Sequence, residues 1–206
     1  MSITIIDYGM GNLKSVQKAF VALGYEAEIT QDPEKILKAE KVVLPGVGAF
    51  RDAIAMLNQT GLGEATKEVA KKGTPLLGIC LGMQLLFDKS YEYGEYEGLH
   101  LLPGEIVRFK EDNIKQANGE CLKVPHMGWN TIANTNSDLF KDFTKDEFVY
   151  FVHSFYVPVN NCTAAVTDYI HPFSAALHKD NFYATQFHPE KSGSVGERIL
   201  KNFLEL

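Results

Sequence analysis

The sequence predicts an α/β fold: a single domain over 1–206 with an open, mostly parallel sheet flanked by helices, and added antiparallel strands in the C-terminal half. Three observations predict it. The first half alternates short apolar runs with segments whose apolar residues recur at helical spacing, the pattern of βα units around a parallel sheet. After Leu99 the texture changes to short strand-like runs, several joined by tight turns. Finally, 206 residues that are 45% hydrophobic and 22% charged can build one sizeable core, and no repeat, low-complexity segment or linker divides them.

Each element has its own signal. Ile3 to Asp7 reads as a buried strand that turns at Tyr8-Gly9-Met10-Gly11. Leu13, Val16, Phe20 and Leu23 then mark a helix that stops at Gly24. Glu26 to Thr30 is the next strand, and Asp32-Pro33 starts a helix with an acid at the N-cap and proline at the first helical position. Lys41 to Leu44 is a strand that runs into Pro45-Gly46-Val47-Gly48; helices from Phe50 to Asn58 and Glu64 to Lys72 follow. Pro75 to Ile79 reads as a central strand, Leu81 to Phe87 as a helix, and the acidic, aromatic Lys89 to Gly98 as a surface loop. Beyond it, Glu105–Phe109, Lys123–Val124, Phe148–Val157, Ala164–Thr167, Ser174–His178 and Phe182–Phe187 read as strands. Lys179-Asp180-Asn181 makes a hairpin turn between the last two, and a helix from Val195 to Leu204 closes the chain.

Several function classes recede. A net charge of -6 offers nucleic acid no basic footprint. The first residues meet Asp7 without the basic segment and long apolar run of a signal peptide. The longest apolar stretch, Pro75 to Phe87, is interrupted by Gln84 and is too short to span a bilayer. Cys80, Cys121 and Cys162 form no C-x-x-C pair, and His100, His126, His153, His171 and His178 show no metal-ligand spacing. Gly9-Met10-Gly11 lacks the third glycine and the lysine of phosphate loops. A reduced, cytoplasmic protein without metal or cofactor is expected.

The chemistry concentrates in three places. Gly78-Ile79-Cys80-Leu81-Gly82 lies where a buried strand hands over to a helix, the setting of a nucleophile elbow with cysteine in place of serine. The helix N-terminus behind it favours a thiolate, and the Leu81 N–H would face an attacked carbonyl. Taken alone, the pentapeptide serves equally for a small buried cysteine. Near the carboxyl end, Gln186-Phe187-His188-Pro189-Glu190 follows a strand and can bring imidazole and carboxylate together, the base and its orienting group that a thiol nucleophile needs. Pro45-Gly46-Val47-Gly48 could aim backbone N–H groups into a site as the second half of an oxyanion hole, although the tetrapeptide alone suits an ordinary strand-to-helix turn.

Gly78-Ile79-Cys80-Leu81-Gly82-Met83-Gln84 with a terminal His188-Pro189-Glu190 resembles the class I (triad) glutamine amidotransferases, flavodoxin-like α/β proteins. Asp7-Tyr8-Gly9-Met10-Gly11-Asn12-Leu13, Pro45 to Gly48, Pro125-His126-Met127-Gly128-Trp129-Asn130 and Phe151-Val152-His153-Ser154-Phe155 narrow the resemblance. Together they are similar to the glutaminase subunits of imidazole glycerol phosphate synthases, of histidine biosynthesis. The resemblance runs from Asp7 to the carboxyl end and is weakest between Lys89 and Lys123.

That resemblance implies a Cys80, His188, Glu190 triad, an oxyanion hole of Gly46, Val47, Gly48 and Leu81, and glutamine bound by Gln84, Glu92, Ser154 and Phe155. It also implies a partner, a (β/α)8-barrel cyclase subunit that receives the ammonia as the other half of a heterodimer, with Asn12, Met127, Trp129, Tyr150 and Lys191 near the interface. Trp129, the lone tryptophan, suits an interface anchor or a buried core position. Three other readings stay open: a related glutaminase that feeds another synthase such as a sugar amidotransferase, a stand-alone cysteine hydrolase, and a catalytically dead interaction subunit.

Overall fold

The computed structural model describes residues 2–110 and 121–206; part of the weakly resembling Lys89–Lys123 region, residues 111–120, lies outside them. Its frame is a parallel core with an antiparallel edge. Ser2–Ile6 (β1) pairs in parallel with Glu26–Thr30 (β2) on one side and Lys41–Gly46 (β3) on the other. Leu76–Cys80 (β4) joins β3, with Gly46 opposite Cys80, and Phe182–Thr185 (β13) joins β4, again in parallel. Pro172–Lys179 (β12) and Thr163–Asp168 (β11) then add two antiparallel strands, giving the order β11-β12-β13-β4-β3-β1-β2. This is the α/β architecture that the alternating pattern predicts.

Side chains alternate across the parallel strands and are buried on both faces, as a helix-covered sheet requires. Ile3, Ile5, Val43, Leu77 and Ile79 face Leu13–Ala22 (α1), through Val16 and Phe20, and Gly193–Leu204 (α6), through Ile199, Leu200 and Phe203. Ile6, Val42, Leu44 and Leu76 face the other way, onto Pro33–Leu37 (α2), Phe50–Thr60 (α3), Leu62–Lys71 (α4) and Leu81–Leu85 (α5). Each fully buried large side chain of this kind contributes about 1.5–3 kcal/mol by leaving water. Local signals set the helix ends: the Asp32 carboxylate accepts from the Glu34 N–H at 2.9 Å, and Gly24 follows α1 with a φ of +86°.

Two smaller sheets lie beyond the frame. His126–Ile132 (β8) and Glu147–His153 (β9) form an antiparallel ribbon, tied to β11 by a bridge between Ala133 and Val166. Lys89–Ser90 (β5), Tyr96–Glu97 (β6), Glu105–Arg108 (β7) and Phe155–Tyr156 (β10) make a sheet ordered β10-β7-β5-β6.

Here the sequence expectations need correction. Lys89 to Gly98 is not a free surface loop: its ends pair as β5 and β6, and Ser90 is fully buried. Lys123–Val124 is not a strand. The Tyr169 hydroxyl donates to the Lys123 carbonyl at 2.8 Å and accepts from the Lys123 N–H at 3.3 Å, so Lys123 is paired without a ladder. The strand begins instead at His126 and runs on past Gly128, which has a φ of +128°. The predicted Phe148–Val157 strand breaks at Ser154, and the helix after Cys80 ends at Leu85.

Candidate active site

The site is built where β4 ends. Cys80 has φ +55° and ψ -111°, a strained backbone for a residue with a side chain. Its flanking glycines permit that turn by sheer lack of bulk. A Cβ on Gly82 would fall 1.8 Å from the Leu44 carbonyl oxygen, and one on Gly78 would fall 2.9 Å from the Met83 backbone. The elbow therefore packs directly on β3 and on the first turn of α5, leaving Cys80 only 7% exposed. Its thiol lies 3.9 Å from the Val152 carbonyl, and the Gln186 amide donates towards Sγ at 3.8 Å.

The second half comes from the end of β13. There the chain passes through His188 into a short 3-10 turn, Pro189–Lys191. His188 Nδ1 meets Glu190 Oε1 at 2.8 Å, and both side chains are almost wholly buried. The turn is pinned to the ribbon: His188 N–H donates to the Tyr150 carbonyl at 3.0 Å, and Tyr150 N–H donates to Ser192 Oγ at 3.0 Å. Ser192 Oγ in turn donates to the His188 carbonyl at 2.6 Å. Among the described residues, Nε2 of His188 and Oε2 of Glu190 are buried without a hydrogen-bond partner. Burial disfavours the charged ring, but the neighbouring Cys80 thiol and the Glu190 carboxylate outweigh it and lift the His188 pKa to about 9. A ring held between the Cys80 sulfur and the Glu190 carboxylate, with Nε2 unpaired, is the arrangement a proton relay needs.

A cavity of about 190 Å³ opens over this pair, lined by Val47, Gly48, Leu81, Gln84, Glu92, Ser154 and Phe155 among others. The structure thus gathers the predicted substrate and oxyanion residues, with one exception. Gly46 stays within β3, where a Cβ would strike Tyr8, Gly82 and Leu81. Gln84 is already committed: its Nε2 donates to the Phe155 carbonyl and to Gln186 Oε1, both at 3.0 Å. It braces the cavity wall. Glu92 is half-buried and accepts from the Phe50 N–H at 2.6 Å; burial raises its pKa against that hydrogen bond.

The predicted interface residues lie outside this cavity. Asn12 precedes α1 and Lys191 sits in the 3-10 turn, both exposed. Met127, Trp129 and Tyr150 lie on one face of the ribbon. Trp129 is 56% exposed and packs edge-on against Tyr150, so it is not a core tryptophan.

Two contributors have no role in the sequence reading. Gln186 links Gln84 to Cys80; a polar residue inside the apolar Phe182–Phe187 run was its signal. His153, which lines the cavity, accepts a bond with His126 Nδ1 at 3.0 Å through its Nε2 and donates from Nδ1 to the Phe155 carbonyl at 2.8 Å. Nothing in the spacing announces that pair.

With this geometry in place, comparison with known proteins decides the family. The model for class I glutamine amidotransferases matches residues 4–206. The chain belongs to the class I glutamine amidotransferases. It is 55% identical over 206 residues to imidazole glycerol phosphate synthase subunit HisH of Bacteroides thetaiotaomicron, covering 100% of both chains. The subunit of the same name from Geobacter metallireducens is 54% identical, over 98% of this chain and 97% of its own. Among solved class I folds, a glutamine amidotransferase crystal structure superposes with a TM-score of 0.73 at 17% identity, covering 98% of this chain and 97% of the other. PurLQS from Thermotoga maritima gives 0.70 at 19%, over 99% and 97%. These two share the fold; the imidazole glycerol phosphate synthase subunits share the sequence as well.

Proposed function

We propose that the chain is the glutaminase subunit of an imidazole glycerol phosphate synthase, with Cys80, His188 and Glu190 as its catalytic triad. The observation that carries the reading is the buried His188–Glu190 pair, 2.8 Å apart, beside an elbow cysteine that opens into a cavity of about 190 Å³. Full-length identity to histidine-pathway subunits supports this acceptor over a sugar amidotransferase.

In the first half-reaction the Cys80 thiolate attacks the carboxamide carbon of glutamine. The oxyanion develops towards the N–H groups of Leu81 and the Val47–Gly48 segment, a contribution of roughly 3–4 kcal/mol per donor in comparable hydrolases. The His188 imidazolium gives its proton to the departing nitrogen; the C–N bond breaks, and ammonia and a glutamyl thioester remain. His188, now neutral, takes a proton from water as it attacks the thioester. The C–S bond then breaks, releasing glutamate and restoring the thiolate. Glu190 holds the ring through Nδ1 in both halves. Glu92 would meet the substrate ammonium, and Ser154 and Phe155 the backbone end of glutamine.

Ammonia is largely protonated in water and then no nucleophile, so a neighbouring acceptor makes the reaction productive. The ribbon offers the docking face for the (β/α)8-barrel cyclase. Its pairing puts Met127, Trp129 and Thr131 on the same side as Val152, Tyr150 and Phe148. Met127, Trp129 and Phe148 there are 63%, 56% and 57% exposed, an apolar patch that a lone chain leaves in water. Asn12 and Lys191 flank it in this reading. Tyr150 and the catalytic turn share backbone hydrogen bonds, so docking there would bear directly on His188.

The test is glutamate release from glutamine by the chain alone and with the cyclase subunit plus its nucleotide ligand. The expected result is low activity alone, a large rise with the partner, and none in Cys80→Ala. No rise with the cyclase, while a glutamine-analogue electrophile still labels Cys80, would keep the triad and reassign the acceptor.

A further inference from the structure

The β3 segment that approaches the cavity is held unequally on its two sides. Towards β4 the ladder continues to its end, pairing Leu44 with Gly78, Pro45 with Ile79 and Gly46 with Cys80. Towards β1 it stops early: Ile5 opposite Val43 is the last pair. Beyond that point β1 has turned away at Asp7, so β1 no longer takes the carbonyl that Pro45 presents on that side.

A side chain takes it instead. Tyr8 is 1% exposed, and its hydroxyl donates to the Pro45 carbonyl at 2.9 Å. The phenol is aimed by a fixed turn: the Asp7 carboxylate accepts from the Gly9 N–H and from Gln31 Nε2, both at 2.9 Å. The ring reaches Gly46 so closely that a Cβ there would lie 2.7 Å from the hydroxyl oxygen. Packing alone would be served as well by phenylalanine; a buried hydroxyl is costly unless its bond matters.

We infer that Tyr8 is a positioning residue for the oxyanion segment: its hydroxyl replaces the missing β1 ladder bond and fixes the Pro45–Gly46 peptide beside Cys80. This rests on the glutaminase reading. A planar trans peptide carries its C=O and N–H on opposite sides, so fixing the Pro45 carbonyl also fixes the Gly46 N–H. Reorientation of amides towards a developing oxyanion is thereby confined to the peptides on either side of Val47, next to Gly48 at φ +93°. Tyr8 is not among the residues that line the cavity. It acts through the strand.

Tyr8→Phe removes the bond and keeps the ring. The experiment compares glutamine turnover in the complex with the cyclase subunit against alkylation of Cys80 by iodoacetamide, read on the Cys80 peptide by mass spectrometry. Alkylation uses the same thiol and forms no oxyanion. The expected result is a kcat lowered about tenfold to a hundredfold, as misplacement of reacting groups produces, with KM and the alkylation rate unchanged. Wild-type kcat in Tyr8→Phe would overturn the inference. So would an equal fall in turnover and alkylation with a raised KM, which marks general collapse of the site. A wild-type complex that turns over no glutamine, with Cys80 alkylated by iodoacetamide but not labelled by a glutamine-analogue electrophile, defeats the glutaminase reading, and this inference with it.

Discussion

At the scale of single residues, the site depends on what is absent as much as on what is present. Gly82 is the sharpest case, because its missing Cβ is the space through which the elbow meets the Leu44 carbonyl. Gly82→Ala is expected to cost about 3 kcal/mol or more, since the clash is with backbone and has no side chain to yield. A urea midpoint shift measures it; a midpoint within error of wild type would show that the elbow can open. His188 carries a pH signature. Its folded pKa, about 9, is raised above the usual value near 6.5 by Cys80 and Glu190 working against burial. The stabilisation is therefore complete below about pH 6.5 and lost as pH rises through about 9. Cys80→Ala removes one of the two supports, so melting temperatures should fall less steeply between pH 7 and 9.5 in that variant than in wild type.

At the scale of elements, the β8–β9 ribbon separates two environments by strand alternation. One face exposes Met127, Trp129 and Phe148; the other buries His126, Phe151 and His153 against Phe173. The buried side is a neutral hydrogen-bonded chain. His153 donates to the Phe155 carbonyl, His126 Nδ1 donates to His153, and Asn130 lies 3.3 Å from His126 Nε2. Burial lowers the His126 pKa to about 4. It also lowers that of His153, with His126 beside it, to about 3. Both rings are neutral in the folded state above those values, whereas the unfolded rings protonate near 6.5. Stability is thus full above about pH 6.5 and declines as pH falls towards 4, by up to about 1.4 kcal/mol per pH unit for each ring. His126→Gln should flatten that acid limb in chemical denaturation at pH 4.5 to 7; an unchanged limb would remove the histidine pair as its cause.

At the scale of the whole molecule, the His188 turn, the ribbon and the parallel frame meet at Tyr150 and His188. The molecule holds one tryptophan, and it stands exposed on the proposed docking face. Addition of the cyclase subunit should shift Trp129 emission to the blue as the indole leaves water. Trp129→Ala should weaken the complex about tenfold or more, the range for a buried aromatic anchor, without altering the melting temperature of the isolated chain. An unshifted emission at saturating partner would place docking elsewhere.

The sequence by itself determined the α/β frame, because each βα unit is written in local signals: the Asp32-Pro33 start, the Gly24 stop, and apolar periods of two and 3.6. It also placed the elbow and the His188-Pro189-Glu190 turn, where neighbouring residues make their own geometry. The ribbon was illegible. His126, Gly128 and Asn130 do not read as a strand, and it is pairing with β9 that makes one. Likewise, Lys89 to Gly98 looks like solvent-exposed loop until β7 pairs with its first residues. Only the tertiary structure decided that Gln84 braces the wall, that Tyr8 holds Pro45, and that Trp129 faces outward. Those facts depend on partners between about 20 and about 100 residues away, and no local propensity encodes which partner a hydrogen bond will find.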